Sequence, residues 1–161
     1  MATQSQTPQF ILDQLVTTMN HHDLEGFLEC FDTDYRSEQP AHPDRQFGGK
    51  DQVRRNWAGI FSKDRQFGGK DQVRKNWASI FSRVPDFRAE LVRAAVADSV
   101  IWAEWNWQGT RADESVFHLR GVTIFGVRSG RIMWGHLYME PVETGGVGID
   151  ASVKGIAEGN R

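Results

Sequence analysis

At 161 residues the chain suits one domain with a hydrophobic core of its own. Its 19 Lys and Arg against 21 Asp and Glu give a net charge of -2, so no basic excess exists to neutralise phosphates, which excludes nucleic acid as a partner on bulk electrostatics. The single cysteine, Cys30, excludes an internal disulfide, and no apolar run resembles a signal peptide or nears the ~20 residues of a membrane span, so the cytoplasm is the default location and no membrane partner is expected.

Phe10, Ile11, Leu15 and Met19 recur at helical spacing over residues 8–19, with Thr7 placed to cap that helix ahead of Pro8. His21-His22-Asp23 breaks it, and Asp23 can cap a short second helix carrying Leu24, Phe27, Leu28 and Phe31. The two histidines read most simply as solvated, or as favourable to the helix dipole. A short extended stretch around residues 35–38 then enters a loop marked by Pro40 and Pro43.

The next segment is written twice. Residues 44–63 and 64–83 differ at only three of twenty positions: Arg55/Lys75, Gly59/Ser79 and Lys63/Arg83. Each copy is a Gly-Gly turn followed by a helix whose apolar stripe is Val53, Trp57, Ile60 and Phe61, or Val73, Trp77, Ile80 and Phe81. Gly48-Gly49-Lys50 lacks the first glycine of a phosphate loop and is followed by Asp51 instead of Ser or Thr, so it is not one. Two such helices compete for one groove, and the slightly better helix former at Ser79 places residues 70–82 in it, with residues 44–63 as the insertion. A natural tandem duplication and an engineered one are equal readings of the repeat.

From Phe87 the period changes to two. Strands are expected near residues 87–96, 99–109, 115–128 and 131–141, with turns at Asp98 and at Arg128-Ser129-Gly130 and a polar hairpin loop over 110–114. Neighbours so closely linked should pair antiparallel. The last strand carries Ile132, Trp134, His136, Tyr138 and Glu140 on one face and Met133, Leu137 and Met139 on the other; the second opposes Ile101, Ala103, Trp105 and Trp107 to Trp102, Glu104, Asn106 and Gln108. Apolar surface on both faces predicts helices and a pocket on one side and a second subunit on the other, a homodimer through the sheet. From residue 144 the chain is Gly-rich and polar, and a loose tail ending in one weak helical turn is expected.

Helix, helix, short strand, helix, then long antiparallel strands is an order that resembles the nuclear transport factor 2-like superfamily, and specifically its SnoaL-like branch. The resemblance rests on Tyr35-Arg-Ser-Glu-Gln-Pro-Ala-His-Pro, Phe67-Gly-Gly-Lys-Asp-Gln-Val-Arg-Lys-Asn-Trp, Val84-Pro-Asp-Phe-Arg-Ala-Glu-Leu, Glu104-Trp-Asn-Trp-Gln-Gly-Thr and Gly130-Arg-Ile-Met-Trp-Gly-His-Leu-Tyr-Met-Glu, and covers most of residues 8–143. It implies an α+β cone, a curved, mostly antiparallel sheet packed on N-terminal helices around a cavity, in a superfamily of polyketide cyclases, ketosteroid isomerases, limonene epoxide hydrolases and proteins without assigned activity. Ketosteroid isomerases place an aspartate base just before the proline that ends the first strand. The matching position is Gln39, which argues against isomerase chemistry of that type. SnoaL-like cyclases carry an acid/base aspartate ten positions after the glycine that precedes the last strand, and counting from Gly130 reaches Glu140.

Glu140 is therefore the candidate catalytic acid/base, and Trp134, His136, Tyr138, Glu104, Tyr35 and His42 are the candidate pocket residues. Glu104 lies either in the cavity or tied to His118 or Arg120 of the adjacent strand. His136 and Glu140 stand about 13 Å apart along a strand, too far to share a proton directly or to ligate one metal. No cofactor or metal is implied. Cys30, among Phe27, Leu28 and Phe31, reads as core. Two functions stay open: an acid/base enzyme of cyclase or isomerase type acting on a small apolar cyclic or polyketide-like compound, and a non-catalytic domain of the same fold that only binds a small apolar molecule.

Overall fold

The computed structural model describes residues 6–46 and 69–159. Helix α1 spans Pro8–Asn20 and buries Ile11, Leu12, Leu15 and Met19 on one stripe. Thr7 caps it: its hydroxyl accepts from the Phe10 N–H at 3.2 Å. Helix α2, Leu24–Glu29, starts in the same way, the Asp23 carboxylate accepting from the Gly26 N–H at 3.0 Å. It stops at Cys30, so Phe31 opens strand β1 (Phe31–Glu38) instead of extending the helix. A 3-10 turn at Pro43–Arg45 follows.

Helix α3, Gly69–Arg83, is the second copy of the repeat, and it occupies the groove as expected. Val73 is buried, and Trp77, Ile80 and Phe81 pack against the core. Burying such side chains is worth roughly 1.5–3 kcal/mol each, so the stripe fixes where the helix lies. Its first residue must be glycine. A Cβ at Gly69 would sit 1.6 Å from the Tyr35 carbonyl oxygen of β1, so this glycine serves a close backbone approach. The expectation for residues 44–63 falls, beyond Gln46, outside the described residues.

Strands β2 (Arg88–Ala97), β3 (Val100–Thr110), β4 (Val116–Arg128) and β5 (Arg131–Pro141) lie within one or two residues of the expected bounds. They form one sheet in the order β1-β5-β4-β3-β2. The three hairpins are antiparallel, and β1 joins β5 in parallel. Asp98 and Ser129 make the tight turns with φ of 52° each, a conformation Asp and Ser tolerate in turns. Bulges at Val92, between Leu91 and Arg93, and at Met133, between Ile132 and Trp134, bend the sheet around α1, α2 and α3.

The core lies between those helices and one sheet face, where Ile101, Ala103, Trp105 and Ile132 are at most 1% exposed. The tail forms helix α4, Ile149–Ala157, longer than one turn but with no buried residue. Among the described residues no helix is long and apolar enough to cross a membrane.

Candidate functional site

A cavity of about 90 Å³ lies between the helices and the inner sheet face. Leu15 and Met19 of α1, Phe27 of α2 and Val73, Asn76 and Trp77 of α3 form one side. Phe31, Tyr35, Ser37 and Gln39 on and just after β1, Trp105 and Trp107 on β3, Thr123 and Phe125 on β4 and Leu137 on β5 form the other. Seven of the fifteen lining residues are aromatic, and their rings brace one another. Trp77 meets Phe27 at 4.6 Å and Trp107 at 5.3 Å between centroids, and Phe31 meets Tyr35 at 4.9 Å. Thr123, 1% exposed, accepts from the Trp105 indole N–H at 2.8 Å.

Tyr35 is the one member of the expected pocket set on this wall. Burial pushes its phenol well above the ordinary range, and a hydrogen bond with Ser37 offsets part of that. Its hydroxyl reaches across to β5, where a Cβ at Gly135 would lie 2.4 Å from it. Gln39, which aligns with the isomerase base, does reach the cavity, but as a neutral amide.

The other six expected residues are not in the cavity lining. Glu140 and His42 are brought together, Nε2 to Oε1 at 2.6 Å, with side chains 48% and 36% exposed. His136 lies 3.5 Å from Glu38 of β1, also half-exposed. Glu104 pairs with Arg93 at 2.6 Å and stands 4.0 Å from Arg120, the tie to the adjacent strand that the sequence offered as its second reading. Trp134 and Tyr138 are 36% and 40% exposed.

The cause is the bulge at Met133. Ile132 pairs with Val127 and is fully buried, whereas Trp134 pairs with Gly126, so one extra residue reverses the alternation between them. Strict parity put Ile132 with Trp134, His136, Tyr138 and Glu140. In the structure Ile132 is inside, those four are outside, and Gly135, Leu137 and Met139 carry the inner face onward.

The SnoaL-like domain profile matches the chain in two pieces, residues 12–68 and 63–134, each containing one whole copy of the repeat. The chain belongs to the SnoaL-like domain family. No curated protein matches it. Among solved structures it is similar to a hypothetical protein of ketosteroid isomerase-like fold from Catenulispora acidiphila in complex with trimethylamine, at TM-score 0.57 and 13% identity, covering 81% of this chain and 84% of that one. A candidate SnoaL-like polyketide cyclase from Shewanella denitrificans is similar at TM-score 0.59 and 9% identity, covering 83% and 90%. A nuclear transport factor 2-like protein of unknown function from Cytophaga hutchinsonii is similar at 0.53 and 10%, covering 88% and 96%. At such identities these likenesses show the fold alone.

Within this SnoaL-like domain, sequence reasoning missed Trp105, Trp107, Thr123 and Leu137 as pocket residues. A signal existed for the tryptophans: on β3 they share a wholly apolar face with Ile101 and Ala103, while the opposite face carries Glu104, Asn106 and Gln108. His22 was missed as well. Its ring stacks on Phe81 at 4.9 Å and its Nε2 meets the Phe87 carbonyl at 2.8 Å, which ties the α1–α2 turn to the entry of β2. Among the described residues no three His, Cys, Asp or Glu side chains gather closely enough to hold a metal ion.

Proposed function

We infer that this SnoaL-like domain is a cytoplasmic binding protein that encloses a small, neutral, largely apolar molecule. The observation that carries this is the chemistry of the wall. Among the described residues lining the cavity, none is Asp, Glu, His, Lys or Arg, and the phenol of Tyr35 is held neutral by burial. A charged ligand would lose its hydration there with no counter-charge to replace it. Size narrows the class further. About 90 Å³ is of the same order as the ~150 Å³ apolar cavity that admits benzene, so the ligand is about one small ring, not a fused polyketide.

The test is a tryptophan-fluorescence titration of the full chain with cyclopentane, cyclopentylammonium and cyclopentanecarboxylate. Saturable quenching or enhancement by cyclopentane alone is the expected result. Equal or tighter binding of either ion would sink the reading.

One observation favours the second reading, an acid/base enzyme. The Glu140–His42 pair is a carboxylate–imidazole couple of the kind that moves protons, and the His42 backbone N–H donates to the backbone carbonyl of Gln39, a cavity-wall residue, at 2.7 Å, which holds the couple near the wall. Glu140→Gln separates the two readings: a binding protein keeps its affinity for cyclopentane, and an enzyme with that couple loses turnover.

Two further points belong to the same proposal. The outer sheet face, which carries Trp102, Trp134 and Tyr138, is the surface through which a second copy would pair. The repeat is read as a duplication of the α3 segment in which the second copy serves the fold.

A further inference from the structure

The geometry points to a hydrogen-bond acceptor on the ligand, a carbonyl or ether oxygen, taken by the indole N–H of Trp107. This rests on the cavity being the ligand site. Trp105 and Trp107 stand two residues apart on β3, both point inward, and both line the cavity. Their indole donors have opposite fates. That of Trp105 is spent inside the protein, on the Thr123 hydroxyl at 2.8 Å. That of Trp107, in a residue only 6% exposed, has no partner, and it is the single buried side-chain donor or acceptor left so among the described residues.

The register explains the difference. Trp105 pairs with Gly121 on β4, and Thr123 stands two residues beyond that partner on the same face. Trp107 pairs with Leu119, and the residue two beyond is Gly121, which has no side chain. On its other flank the partner is Ala89 of β2. The nearest ring edge, Trp77 at 5.3 Å and 72°, offers at most an aromatic face, a weak acceptor. Proteins rarely leave a desolvated donor unpaired, because forfeiting its water without replacement is costly. Where such an orphan belongs to the wall of an apolar cavity, a ligand atom is the missing partner. An oxygen acceptor suits the site: it is neutral, in keeping with the uncharged wall, and it lets the rest of the molecule lie against Phe27, Phe31 and Trp77.

The experiment compares two probes of nearly equal shape, cyclopentanone and methylenecyclopentane, on the full chain. Binding is followed through the indole N–H resonances of ¹⁵N-labelled protein, with Trp107 assigned from Trp107→Phe. Cyclopentanone should move the Trp107 indole proton downfield, and Trp107→Phe should weaken it roughly three- to tenfold, the worth of one net hydrogen bond. In Trp107→Phe the affinity for methylenecyclopentane should change little, which shows the cavity intact. Binding of both probes to the wild-type chain with the Trp107 resonance unmoved by the bound ketone overturns the assignment and leaves the apolar cavity standing. Binding of neither probe overturns the cavity reading itself, and this assignment with it. Because the probe pair and the Trp107 resonance are both read on the wild-type chain, a variant that fails to fold does not spare the proposal.

Discussion

Cys30 and Tyr35 show how burial governs single side chains here. Burial pushes the Cys30 thiol up to about 12, with the nearby Glu29 carboxylate adding to the shift, and it raises Tyr35 further still. Both therefore keep their protons in the folded chain where the unfolded chain would lose them, from about pH 8.5 for cysteine and about pH 10 for tyrosine. Their stabilisation is complete below those values and declines as pH rises through the folded-state values, by at most about 1.4 kcal/mol per pH unit for each group. Denaturant unfolding measured from pH 7 to 11 should show stability falling from about pH 8.5. In Cys30→Ala the fall should begin only near pH 10, and an unchanged profile would contradict the assignment. The same protonated state makes Cys30 a poor nucleophile, so a thiol reagent at pH 8 should label it only at the rate of unfolding.

The element scale separates what the chain wrote plainly from what it concealed. Period-two alternation after Phe87 and the caps at Thr7 and Asp23 were legible because each depends on neighbouring residues alone. The inner face of β5 was not, because the Met133 bulge is a property of the pairing between Gly126–Val127 and Ile132–Trp134, and no single strand encodes it. A parity error of one residue was enough to move Glu140 and His136 from the cavity to the outside. Helix α3 offers a sharper trial, since its sequence occurs twice. Trp77 wedges among Phe27, Phe87 and Trp107 at 4.6, 5.6 and 5.3 Å, so Trp77→Ala should cost about 3 kcal/mol or more in denaturant unfolding. Deletion of residues 44–63 joins Pro43 to Asp64 and restores the same local sequence, Asp-Arg-Gln-Phe-Gly-Gly-Lys, after that proline. The shortened chain should fold with helix α3 unchanged, as read by far-ultraviolet circular dichroism and a cooperative melt. Failure to fold would show that the first copy is not dispensable.

At the scale of the whole molecule the sheet divides two kinds of apolar surface. Its inner face is closed by three helices around the cavity. Its outer face carries a row of Ala95, Trp102, Ile124 and His136 across four strands and, beside it, a row of Arg93, Glu104, Val122 and Tyr138. Trp102 is 48% exposed, Tyr138 40% and Trp134 36%, an apolar patch edged by the Glu104–Arg93 ion pair and the histidine–carboxylate pairs of β5. Large apolar patches rimmed by charge mark interaction surfaces, and a twofold partner presenting the same patch is the simplest complement. Trp102→Glu places a charge at the centre of that patch without touching the core, because Trp102 and the cavity residue Trp105 face opposite ways on β3. Sedimentation should therefore show the wild-type chain as a dimer and the variant as a monomer, with the melting temperature at low protein concentration little changed. Cyclopentane binding should survive the substitution, since cavity and patch share a sheet but no side chain. A wild-type chain that sediments as a monomer at all concentrations would remove the second subunit, and the outer face would then need another partner to cover it.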